Sequence, residues 1–124
     1  MQETFTLSNW LVAAQAADSK KAMNLRVLDL REVTSFTDYF VICTGSNPRQ
    51  IQAMANEIQE RLGEIGERAT NVEGLENAEW VLMDYSDLVV HIFSEQARAY
   101  YDLDRLWRTA KEVTVEGVTT AVAV

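Results

Sequence analysis

The chain has 124 residues, 48% hydrophobic and 24% charged, which suits one ordinary globular domain and is too little for two. Its 19 acidic and 11 basic residues leave a net charge of −8; such a surface repels phosphate, so direct sequence-specific nucleic-acid binding is disfavoured while a basic protein partner is permitted. No run of about 18 apolar residues exists to span a membrane, no Lys or Arg precedes Lys20 as a targeting peptide would require, and the single Cys43 points to a reduced, cytoplasmic setting.

A first helix is expected from Ser8, whose hydroxyl suits an N-cap, with Leu7, Trp10, Leu11 and Ala14 at helical spacing and Asn24 near its end. Leu25 to Leu30 alternates as a strand does, and Glu32 to Thr37 is a loop. Tyr39-Phe40-Val41-Ile42-Cys43 is apolar on both faces, as expected of a strand covered on both sides. In Thr44-Gly45-Ser46-Asn47-Pro48, Gly45 relaxes a turn, Ser46 or Asn47 supplies a cap, and Pro48 suits a first helical turn. Ile51, Met54, Ala55, Ile58, Leu62 and Ile65 trace the buried stripe of a second helix, which Gly63 or Gly66 ends.

A short strand is expected near Ala69 to Val72. Trp80 to Tyr85 and Leu88 to Phe93 are two more strands, joined through Ser86-Asp87 as a tight hairpin. A last helix is expected from Glu95 to Lys111. The arrangement is an α/β fold with a mixed five-stranded sheet flanked by helices. Residues 1–111 form the domain. Residues 112–124 form a tail, read as flexible, with an extra edge strand as the alternative for its β-branched run.

Catalytic groupings are scarce. His91 has no cysteine at zinc-ligand spacing, and Cys43 and His91 carry no motif of a nucleophile–base pair. Both are read as structural side chains. Gly45-Ser46 between strand and helix is where nucleotidyltransferases hold a phosphate at a helix N-terminus. Those enzymes also need carboxylates converging on metal ions. The one Asp-x-Asp, Asp102-Leu103-Asp104, falls on a predicted helix, where the two acids lie about 200° apart and cannot share a metal.

The last helix carries an anomaly. At about 100° per residue, Tyr100, Leu103, Leu106, Trp107 and Ala110 fall in one arc, read as the core stripe. Tyr101 falls nearly opposite, beside Ala97 and Asp104, with Arg98, Arg105 and Arg108 around it. A tyrosine rimmed by arginines and an aspartate has the composition of a protein–protein anchor, and equally of an ordinary surface tyrosine. Trp80, at a strand start after Glu73-Gly74-Leu75-Glu76-Asn77-Ala78-Glu79, is core or interface.

These residues assemble into a recognisable order. Asp29, Ser35-Phe36-Thr37-Asp38, Thr44-Gly45-Ser46 and Arg49 are followed by Glu73-Gly74, then by Trp80 with Asp84, Asp87, Val90 and His91, and finally by Arg98, Tyr101, Leu103, Leu106 and Trp107. Over roughly Ser8 to Trp107 the chain resembles the ribosomal silencing factors, the Iojap-like family. The resemblance implies a nucleotidyltransferase-like fold without the catalytic carboxylates, hence no enzyme, cofactor or metal. It implies binding to the large ribosomal subunit through its protein numbered fourteen, at the face where the small subunit docks, so that subunit association is blocked and translation falls when nutrients are scarce. It also implies self-association as a homodimer.

In the family, the matching tryptophan and helix tyrosine lie at the partner surface. The partner-facing set expected here is Trp80, Arg98, Tyr101, Asp102, Asp104 and Arg105. Two positions depart from the family's pattern: Ser86 stands where a turn glycine is usual, and Asp104 where glutamate is usual. The first is costly if the turn needs a positive φ, and the second shortens the reach of the charge. A nucleotide-binding enzyme and a purely structural adaptor are the competing readings.

Overall fold

The computed structural model describes residues 8–115. Helix α1 (Asn9–Ser19) leads into strand β1 (Met23–Asp29), and β2 (Tyr39–Gly45) leads into helix α2 (Pro48–Glu64). Strands β3 (Asn71–Glu73), β4 (Trp80–Asp84) and β5 (Leu88–Ser94) follow, then α3 (Glu95–Tyr101), α4 (Leu103–Leu106) and β6 (Lys111–Val113). The mixed sheet expected from the sequence is present with six strands in place of five, in the order β3-β4-β5-β2-β1-β6. Its central pair, β2 with β5, is parallel and the other pairings are antiparallel.

Alternation along the strands divides the core in two. Leu25, Val27, Val41, Cys43, Val81, Met83, Leu88, Val90 and Ile92 point to one face, against the buried sides of α1 and α2. Leu28, Phe40, Ile42, Val89 and Phe93 point to the other, where Ala97 and Leu103 from the short α3 and α4 lie over them. The first face is roofed by two full helices and the second by two short ones. That difference leaves β4 half-open: Val81 and Met83 are buried, whereas Trp80, Leu82 and Asp84 keep partial exposure.

The predicted α2 stripe is the buried one except at its end, where Ile65 is the C-cap and 39% exposed. Asn47 caps the helix by accepting the Gln50 N–H at 2.9 Å, and Pro48 is the first helical residue. Gly63 lies within α2; Gly66, at φ 86°, ends it. The Gly66 and Glu67 N–H groups donate to the Gly63 and Leu62 carbonyls, the two-bond closure of a Schellman motif. Gly45 serves packing and not turn freedom: a Cβ there would come within 2.6 Å of Ile51 and 2.7 Å of Met54.

Three expectations need correction. Asn24 lies within β1 at its bulge, and α1 closes earlier, through Lys20. The Glu95–Lys111 helix is broken at Asp102, whose left-handed backbone (φ 48°) separates α3 from α4. Its predicted core stripe is therefore split, with Tyr100 81% and Leu106 66% exposed while Leu103 is buried. At the start of the tail, β6 pairs with β1 as an edge strand, the alternative given for that segment. Leu7 and residues 116–124 lie outside the described residues.

Candidate docking surface

The second sheet face carries a chain of rings. Phe36 packs on Phe40 and Trp107, Phe40 meets His91 edge-on at 4.5 Å between centroids, and His91 neighbours Trp80 and Phe93. Trp80 then packs against Tyr101 with the rings tilted by 46° and 4.5 Å between centroids, and Tyr100 meets Tyr101 nearly perpendicularly. Phe40, His91 and Phe93 are buried, Trp80 and Trp107 keep partial exposure, and the two ends emerge, with Phe36 58% and Tyr101 47% exposed. Glu79, Gln96, Ala97, Tyr100 and Tyr101 line a shallow depression at the second end.

Trp80 reaches this position through a tightly held approach. Gly74 has φ 87°, and a Cβ there would stand 2.0 Å from the Trp80 carbonyl oxygen. Only glycine allows that approach. The Ala78 N–H donates to the Gly74 carbonyl and the Ser94 N–H to that of Glu79, tying the connection between β3 and β4 on both sides. The Trp80 indole N–H donates to His91 Nδ1 at 3.1 Å.

The predicted partner-facing residues separate into two groups. Trp80 and Tyr101 are in contact with each other at the surface, and Arg105 is exposed. Tyr101 does not stand opposite the core: it shares a side of α3 with the buried Ala97 and sits where packed and open surface meet. Arg98 and Asp104 are engaged within the chain. Arg98 donates Nε and Nη2 to the two Asp104 carboxylate oxygens at 2.8 and 3.0 Å, and Nη1 to the Thr44 hydroxyl at 2.9 Å. Arg26 donates to Asp104 at 2.7 Å and to Glu112 at 2.9 Å. Burial opposes the charge of Asp104, but these hydrogen bonds prevail and hold its carboxyl down at about 2. Asp102 forms the helix break.

Three catalytic alternatives lose their geometry. Cys43 belongs to the first sheet face and His91 to the second, since Ile42 and not Cys43 pairs with His91. Burial pushes the Cys43 thiol up to about 12 and the His91 imidazole down to about 3. The Gly45-Ser46 turn is filled by the chain itself: Gln50 Oε1 accepts the Ser46 N–H at 2.6 Å, while Gln50 Nε2 donates to the Lys20 and Lys21 carbonyls. An N–H of the kind that cradles phosphate is thus already bonded. Among the described residues no group of three or more His, Cys, Asp or Glu is placed to hold a metal ion.

Sequence reasoning missed Leu82, Tyr100 and His91 as parts of this surface and its support. The alternation of β4 pointed to Leu82. Tyr100 was hidden by the assumption of an unbroken helix, and the Trp80–His91 bond becomes visible only from the pairing of β4 with β5.

Fold and surface define a small α/β protein with a partly exposed aromatic edge on an acidic body. A family model described as "Ribosomal silencing factor during starvation" matches residues 6–123. A ribosomal silencing factor from Halalkalibacterium halodurans is 41% identical over 107 residues, covering 86% of this chain and 92% of that protein. A crystal structure of a Chromobacterium violaceum protein superposes with a TM-score of 0.76 at 34% identity, covering 90% of this chain and 88% of the other. More distantly, a mouse protein named "Mitochondrial assembly of ribosomal large subunit protein 1" is 26% identical over 91 residues, which span 71% of this chain and 40% of that one. The chain belongs to the ribosomal silencing factor family, whose members regulate translation at the ribosome.

Proposed function

We propose that this protein docks on the large ribosomal subunit, through the ribosomal protein numbered fourteen, and by its bulk blocks association with the small subunit. Translation in the cytoplasm is thereby repressed when nutrients are limiting. The observation that supports this most is the Trp80–Tyr101 pair, with Leu82 and Tyr100 beside it, exposed on the thinly roofed sheet face of a family member. Partly exposed aromatic side chains at the edge of a packed core are the usual anchors of protein–protein interfaces. Arg98 and Asp104 set the α3–α4 scaffold that holds Tyr101 and Arg105, so their part in docking is indirect.

Sedimentation of mixed ribosomal subunits tests this reading, with wild type, the Trp80→Ala/Tyr101→Ala double variant, and no addition. Wild type is expected to co-sediment with large subunits and reduce the joined ribosome, and the folded double variant to do neither. Unchanged subunit joining with wild type, and no co-sedimentation, would sink the proposal. Sedimentation velocity of the protein alone reads the homodimer that the family resemblance implies.

A further inference from the structure

His91 is a buried polar residue among rings, and its two nitrogens differ. Nδ1 accepts the Trp80 indole N–H at 3.1 Å. Nε2 is buried and has no hydrogen-bond partner. Because an indole N–H only donates, Nδ1 must be the unprotonated nitrogen and Nε2 carries the hydrogen. A neutral imidazole here leaves one N–H unsatisfied, an arrangement that a leucine or phenylalanine would avoid. What the imidazole provides in return is an acceptor 3.1 Å from Trp80, in a row where Leu82 and Ile42 are its cross-strand neighbours on either side.

The ring is also held mechanically. Phe40 meets it edge-on at 4.5 Å and Phe93 lies parallel to it at 6.1 Å, so the acceptor has little freedom to turn away. Trp80 is then held by this acceptor and by the tilted rings of Phe93 and Tyr101, at 5.1 and 4.5 Å between centroids.

We propose that His91 is the positioning residue of the docking surface: it fixes the Trp80 rotamer and consumes the indole N–H, so that Trp80 presents only apolar ring to its partner. This rests on the docking role proposed above and adds a specificity rule to it. Tryptophan at interfaces ordinarily offers an apolar body and a polar handle, and here the handle is turned inward. The partner surface opposite the indole must therefore be aliphatic or aromatic, or the stem of a long side chain, and gains nothing from an acceptor aimed at the indole nitrogen.

Two measurements test the proposal separately from the docking reading. In wild-type protein labelled with nitrogen-15, a through-hydrogen-bond coupling is expected between Trp80 Nε1 and His91 Nδ1, with the histidine in the Nε2–H form. No ribosome is needed for this, and an unbonded indole or the opposite tautomer would overturn the proposal. The second measurement is the affinity of His91→Leu, His91→Asn and Trp80→Ala, singly and combined, for isolated large subunits. His91→Leu removes the acceptor and is expected to weaken binding about tenfold, the scale of one lost hydrogen bond. His91→Asn, with its amide oxygen near the place of Nδ1, is expected to restore most of that loss.

In the Trp80→Ala background His91→Leu is expected to add nothing, because its effect passes through the indole. Full additivity, or an unchanged affinity for a folded His91→Leu protein, contradicts the positioning role. If wild type binds no large subunits while the coupling is present, the docking reading fails and the internal hydrogen bond stands.

Discussion

Ser86 shows how one residue can carry a cost that its surroundings do not remove. It has φ 74°, in the hairpin where the Tyr85 N–H donates to the Leu88 carbonyl at 2.8 Å. Asp87, the other loop residue, is not among the positive-φ residues, so the left-handed strain falls on Ser86, across which the Asp87 N–H donates to the Tyr85 carbonyl at 3.0 Å in a γ-turn. An L-residue there costs about 1–2 kcal/mol relative to glycine, offset in part by the larger unfolded-state entropy of glycine. Ser86→Gly is expected to stabilise the protein by about 1 kcal/mol, raising Tm by about 4 °C. Differential scanning calorimetry checks it; the Ser86 N–H that the Asp84 carboxylate accepts at 2.8 Å is present in either residue, so an unchanged or lower Tm would show that the positive φ costs serine nothing here. His91 makes the complementary prediction on the acid side. Burial lowers its folded pKa to about 3 from the ordinary 6.5, so its neutral form supports the fold fully above pH 6.5 and that support is lost as pH falls toward 3. Stability is expected to fall by about 1.4 kcal/mol per pH unit below 6.5, hence by about 2 kcal/mol at pH 5. Asp29 and Asp104 are lowered to about 2, and their contributions are lost only below the ordinary carboxylate range. Urea unfolding across pH 7 to 5 isolates the histidine, and His91→Asn should flatten that slope whatever its absolute stability.

At the scale of elements, the strands and α2 were legible because burial wrote itself into their sequence. Tyr39 to Cys43 and Leu88 to Phe93 are apolar on both faces because both faces of the central strands are covered. The segment after Glu95 was not legible in the same way, because its apolar residues permit a continuous helix and the break comes from elsewhere. Asp102 takes a left-handed conformation, and Asp104 is then drawn to Arg98 at 2.8 Å and Arg26 at 2.7 Å, partners 6 and 78 residues away. Those tertiary bonds decided which side of α3 faces the sheet, and helical spacing alone placed Tyr100 inside when it is 81% exposed. The pairing of β6 was hidden for a similar reason, since three residues of edge strand are recognised only beside β1. The Trp80–Tyr101 contact was half-legible: both residues were marked by their setting, but their packing together depends on the same break. Asp104→Asn should therefore affect the docking edge without touching it. Removing the charge leaves two arginines facing an amide and is expected to cost about 1–2 kcal/mol. This is less than a fully buried pair would lose, because Asp104 retains solvent contact. Solvent exposure of Tyr101 should rise, read by its ring chemical shifts, whereas Asp104→Glu, the family's usual residue, should keep both stability and shifts close to wild type.

Across the whole molecule, two properties with different ranges divide the work of association. The net charge of −8 acts over the distance set by screening, roughly 8 Å at physiological ionic strength, and the aromatic edge acts only in contact. On the proposed docking reading, a basic partner would be drawn in by the first and retained by the second, since charge complementarity governs encounter more than it governs residence. The two are separable by experiment. Raising salt from about 50 to 500 mM is expected to slow association with large subunits about tenfold and to change dissociation little. Trp80→Ala should do the reverse, speeding dissociation while leaving the salt slope of association intact, because the substitution removes contact and no charge. Stopped-flow binding with labelled protein measures both rates. A salt slope that vanishes with Trp80→Ala would mean that charge acts at the docked interface itself, and that the acidic body is part of the contact rather than its long-range guide.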